Sequence, residues 1–218
     1  GIVSFLNQLK SQASALQGAQ IAQGQDLEAN MARTEAACKT IWLYFGELAR
    51  QLNIIAPAGP RFTLDGKKPW PAMKLVNFRV DARKKTLRNS KEGYDHIAMG
   101  WQIVPQMGAP VGGTVSANFP PDLQRIESRL ALGGVRHERR EVRHPEKNTL
   151  LELRFDYLTE SRGNVMATPD HDKAVIAFRL ANANGFELIN TSYPAAQITT
   201  ELLDELAKLL VAQPTRFG

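Results

Sequence analysis

The chain meets no proline before Pro57, and over almost all of that stretch apolar residues recur three and four positions apart. Proline inside a helix removes a hydrogen bond and clashes with the preceding turn. Its absence, together with the helical period, commits residues 2–53 to helix. Ile2, Leu6, Leu9, Ala13 and Leu16 make one stripe, and Leu27, Met31, Cys38, Ile41, Phe45, Leu48 and Leu52 make a second, one position out of register with the first. The break between them falls at Gly24, Gln25 and Asp26, where a glycine can end one helix and an aspartate cap the next. A short helical hairpin over residues 1–55 is therefore expected, with one long bent helix as the alternative.

The first stripe has an unusual setting. Residues 1–25 contain six glutamines and a single charged residue, Lys10. A solvated helix usually carries acid and base pairs four apart, and this one carries none, so it reads as a surface for self-association. The other reading is a helix lying loosely on its own domain.

A connection rich in proline and glycine follows over residues 56–72, and beyond it the period changes to two. Residues 75–86 and 96–104 read as strands, the second with Ile97, Met99, Trp101 and Ile103 on one side. Further strands are expected over 114–119, 135–144, 151–157, 165–168, 174–181 and 186–193. Pro120 and Pro121 open a short helix that Gly133 and Gly134 close. Asn184 and Gly185 between two strand-like runs signal a hairpin, and residues 195–212 form a last amphipathic helix stopped by Pro214. The fold class is α+β: an N-terminal helical segment, then an antiparallel domain over 73–214. Ser116, Asn118, Phe119, Pro120 and Ser192, Tyr193, Pro194 each lead from strands into a helix, an echo that suggests a doubled βββα unit in one sheet.

Charge is distributed unevenly. Residues 1–59 hold four basic and four acidic residues, residues 60–150 hold seventeen and nine, and residues 151–218 hold six and nine, so the formal net charge of +5 arises in the middle of the chain. Two clusters carry the excess. Arg79, Arg83, Lys84 and Lys85 lie on the first strand; Arg136, Arg139, Arg140 and Arg143 lie on a strand charged on both faces, which must be an exposed edge. Arginine suits bidentate phosphate binding, and these eight residues are the candidate polyanion-binding set. Glu138 and Glu141, interleaved among them, argue for salt-bridge ladders instead. Arg136 and Arg140 stand in an R-x-x-x-R spacing similar to the arginine motif of PilZ cyclic-dinucleotide receptors. The likeness ends there, because the companion [D/N]-x-S-x-x-G is absent.

Strong catalytic signatures are missing. No G-x-S-x-G, P-loop, dinucleotide glycine fingerprint or H-E-x-x-H occurs. His137 and His144 are an odd number of residues apart and face opposite sides of a strand, and Asp170, His171, Asp172 read as a solvated turn. One cysteine, Cys38, excludes an internal disulfide and a thiolate zinc site, fits a reducing compartment such as the cytoplasm, and reads as a buried apolar residue. No cofactor or metal is expected, and nothing approaches the length of a membrane span. The leading expectation is a non-catalytic binding or interaction module that self-associates through its first helix and meets an acidic partner or nucleic acid. The rival is a fold for a small molecule or lipid, enzymes included, with an apolar pocket lined by Phe155, Tyr157, Phe178 and Phe186.

Overall fold

The computed structural model describes residues 2–218, with side chains from Ser4 onward. The proline-free stretch is one unbroken helix, α1 (Ile2–Ile55), so the alternative reading holds and the hairpin does not form. Gly24 costs only about 1 kcal/mol relative to alanine inside a helix. With no proline to remove a bond, a helix anchored at one end continues through it. The second stripe is the anchored part: Met31, Cys38, Ile41, Phe45 and Leu52 are buried. Each of the larger apolar side chains among them contributes about 1.5–3 kcal/mol by leaving water.

Eight strands and two helices follow: β1 (Met73–Thr86), β2 (Glu92–Pro105), β3 (Gly112–Ala117), α2 (Pro120–Gly133), β4 (His137–Arg143), β5 (Leu150–Leu158), β6 (Ser161–Asp170), β7 (Val175–Ala181), β8 (Leu188–Pro194) and α3 (Thr200–Leu210). Every strand pairing is antiparallel. The strands divide into a five-stranded sheet, β1-β2-β6-β7-β8, and a three-stranded sheet, β3-β5-β4. Because β3 leaves β1 and β2 for the smaller sheet, a repeated three-strand unit is not visible in the strand order.

Strand register separates the two faces of the larger sheet. Val80, Met99, Val165, Leu180 and Ile189 lie opposite one another in a row across all five strands. Met99, Val165 and Leu180 are fully buried on the face where α1 packs across β1, β2 and β6 and meets α3. Side chains alternate along each strand. The adjacent row, Arg79, Gly100, Asn164, Ala181 and Leu188, therefore points to the other face. A β-bulge decides where Arg79 belongs. Between Val76 and Arg79, β1 has one residue more than β2, with Asn77 at a φ of 55°, and the extra residue reverses the alternation beyond it. Asn53, near the end of α1, staples the bulge. Its Nδ2 donates to the Phe78 carbonyl at 3.0 Å, and its Oδ1 accepts from the Phe78 N–H at 2.6 Å.

Segments that read as loops are tied down. Within 56–72, Phe62, Leu64 and Trp70 are buried, and Trp70 stacks on Tyr157 of the smaller sheet at 5.6 Å. The turn after β6, expected to be solvated, instead docks on α1. His171 is 7% exposed and its Nε2 lies 3.0 Å from Glu35 Oε2, while the Asp172 carboxylate pairs with Arg88 at 2.7 Å and its carbonyl accepts from Asn30. The hairpin of β7 and β8 forms as expected, although its loop is longer than two residues. Asn182 and Gly185, rather than Asn184, take positive φ.

Candidate functional site

The outer face of the larger sheet is polar at its centre because three strands each place an arginine there. Arg79 of β1, Arg162 of β6 and Arg179 of β7 share that face, by register with Gly100, Gln102 and Met166 and by alternation with Asn164 and Ala181. The end of α2 rises over this face. Gly134, the left-handed C-cap of α2 at a φ of 58°, lies so close to the Arg162 guanidinium that a Cβ there would fall 2.6 Å from its Nε. Ser161 Oγ donates to the Gly133 carbonyl at 2.8 Å, and Asn182 Nδ2 donates to the Leu132 carbonyl at 3.2 Å. Neutral donors thus cap the last carbonyls of α2 and fasten the helix to the sheet. Chain continuity then brings Arg136 in from the segment before β4.

The result is a cleft of about 1000 Å³ whose walls include Arg79, Arg136, Arg162 and Arg179. Glu160 is the one acid in the wall, so four cations face one anion. Among the described residues, none of the four arginines forms an ion pair. All four arginines are exposed, so like charges gathered around the cleft repel only modestly through water, and an anion between them relieves that repulsion. Asn164 Oδ1 is buried without a hydrogen-bond partner, as is Trp101 Nε1 on the opposite, core-facing side of β2. Trp101 also explains Gly163 opposite it: a Cβ at 163 would lie 2.4 Å from the indole Nε1.

The eight cations singled out in the sequence have separate fates. Arg79 and Arg136 reach the cleft. The remainder of the β4 cluster is matched by acids: Arg139 with Glu127 at 3.6 Å, Arg140 with Asp156 at 2.7 Å and Arg143 with Glu141 at 2.8 Å. Arg140 and Thr114 both bond to Asp156 and hold its carboxyl below the usual carboxylate range. Arg140 thus faces an acid on β5 while Arg136 borders the cleft. At the far end of β1, Lys85 lies 3.7 Å from Asp95 and Lys84 sits over the Tyr94 ring. A hydrogen bond from His96, then the charges of Lys85 and Arg83, hold the Asp95 carboxyl low. The two clusters do not merge into a basic strip along β4 and β1; two of their members contribute instead to a compact site with Arg162 and Arg179.

The four aromatic candidates occupy other places. Phe155 and Phe178 are buried core residues, Tyr157 borders a second, shallower cavity of about 710 Å³ on the smaller sheet, and Phe186 packs on Phe62 and Trp70. None of them borders the arginine cleft. The histidines are held by local hydrogen bonds: His96 to Asp95, His137 to the Val135 carbonyl, His144 from the Glu146 and Lys147 N–H groups, and His171 to Glu35. Among the described residues there is no cluster of histidine, cysteine and carboxylate side chains able to hold a metal, and no helix is long and apolar enough to cross a membrane. No protein-family profile matches the chain, nor does any curated protein or solved structure.

Proposed function

We propose that this chain is a binding module whose ligand is a compact, multiply charged anion held in the arginine cleft. The observation that carries the reading is the convergence of four arginines without carboxylate partners on one cavity. Guanidiniums bind phosphate and carboxylate through paired N–H donors, and several of them around a cavity select a ligand with several anionic groups. Binding without turnover is the simpler reading. Besides the arginines, the wall's ionisable and hydroxyl groups are Glu160, Ser128 and Ser161, and Ser161 Oγ is already committed to the Gly133 carbonyl. An extended polyanion such as nucleic acid has less to hold, since three arginines of β4 already face acids.

Thermal unfolding at low salt with pyrophosphate, citrate, inorganic phosphate and heparin tests the cleft. A ligand at roughly 100 times its dissociation constant adds about 2.7 kcal/mol, a rise in Tm of about 5–10 °C for a chain of this size. Pyrophosphate or citrate is expected to give such a rise, phosphate less, and Arg162→Ala with Arg179→Ala to abolish it. A Tm unmoved by any compact anion, or a response that survives the double variant, overturns the reading.

A further inference from the structure

Residues 4–26 of α1 are exposed without exception, and from Ser4 onward Met31 is the first residue of the helix to be buried. At a rise of about 1.5 Å per residue, the exposed stretch is roughly 35 Å of helix. We infer that it pairs with a second copy of this chain as a parallel, in-register two-stranded coiled coil. Leu6, Leu9, Ala13, Leu16, Gln20 and Gln23 are spaced alternately three and four apart, the spacing of a heptad seam. Leu6, Leu9 and Leu16 are 48%, 44% and 61% exposed. A lone helix of this length is marginal in water, and Gly18 and Gly24 weaken it further. A partner along the seam supplies what the rest of the chain does not.

Charge selects the partner. Lys10 is the only charged side chain in residues 4–25. A helix lying on a membrane surface carries lysines and arginines on its polar face, and an acidic or nucleic-acid partner needs them as well. A second copy needs none and meets no repulsion. The glutamines select the orientation. In a parallel pair, Gln20 meets Gln20 and Gln23 meets Gln23, and the amides bond to each other. An antiparallel pair overlapping along the whole stretch sets Gln23 against Leu6 and Gln20 against Leu9, leaving amides unpaired beside leucine. Area is sufficient: covering about half of a helix 35 Å long and about 13 Å across at the water-accessible surface buries on the order of 700 Å² per chain, close to the roughly 800 Å² of a standard stable interface.

The test uses the full chain and does not depend on the cleft. Light scattering after size exclusion is expected to give about twice the chain mass of 24.2 kDa, and Leu9→Glu with Leu16→Glu is expected to give the monomer. Orientation is read from Leu6→Cys and Gln23→Cys made separately, the buried Cys38 leaving the new thiol as the exposed one. In the parallel pair each variant crosslinks to itself. A monomer at high concentration, including one that instead sediments with phosphatidylglycerol vesicles, overturns the inference. So does a dimer that persists in the double glutamate variant, or crosslinking seen only when the two cysteine variants are mixed.

Discussion

Cys38 lies on the buried face of α1, and burial, with the charge of Glu35 added, pushes its thiol up to about 12. A thiol protonated in the folded state and freer to ionise in the unfolded one favours folding fully below the unfolded value near 9.0. That contribution is lost as pH rises toward the folded value, because the unfolded chain then binds fewer protons. Urea unfolding of the native chain should therefore lose more stability between pH 8 and pH 10.5 than unfolding of Cys38→Ala. Equal pH dependence in the two would show that the thiol is not held neutral by its surroundings. The same burial predicts that a disulfide reagent reacts with Cys38 only on unfolding, on the time scale of the global transition.

Among the elements, the bulge of β1 matters most for the cleft, since it turns Arg79 outward and Asn53 fixes it from the end of α1. Asn53→Ala removes two hydrogen bonds to the backbone of Phe78, so a loss of about 1–3 kcal/mol is expected in chemical denaturation, together with weaker anion binding. Arg79→Ala should weaken binding with stability nearly unchanged; equal loss of stability in both variants would mean that Arg79 is structural. The bulge also marks the limit of what the sequence discloses. Alternation placed the apolar side of β2 correctly at Ile97, Met99, Trp101 and Ile103, and a strand charged on both faces led to the edge position of β4. Counting by twos from Leu75 puts Arg79 on the buried side, and only the inserted residue reverses it. Arg162 and Arg179 carry no signal in the sequence for a related reason. Each is a single cation on an alternating strand, and no local run signals that three strands set them on one face. Arg139, Arg140 and Arg143, which do form a run, are neutralised by acids on α2, β5 and their own strand. Gly24 does not end α1, because a penalty of about 1 kcal/mol cannot interrupt a helix whose far end is held by Ile41 and Phe45.

At the scale of the molecule, one continuous helix belongs to two environments, and hydrogen exchange should divide it although its backbone bonds do not. Amides open locally at a free energy set by the packing around them. From Met31 to Leu52 that packing includes the larger sheet, and Tyr44 adds a bond to Asp204 of α3 at 2.6 Å. Opening there requires the core to open, so protection should approach that of global unfolding. Residues 4–26 are all exposed, so their protection comes from helix propagation out of the packed half and from a partner. Exchange in this stretch should accordingly be fast at low protein concentration and slow as concentration rises, while residues 31–52 hold the same rate throughout. A change of both halves together would mean that association is transmitted into the core. Protection of residues 4–26 independent of concentration would mean that the bare helix is stable alone, and the case for a second copy would then rest on mass and crosslinking only.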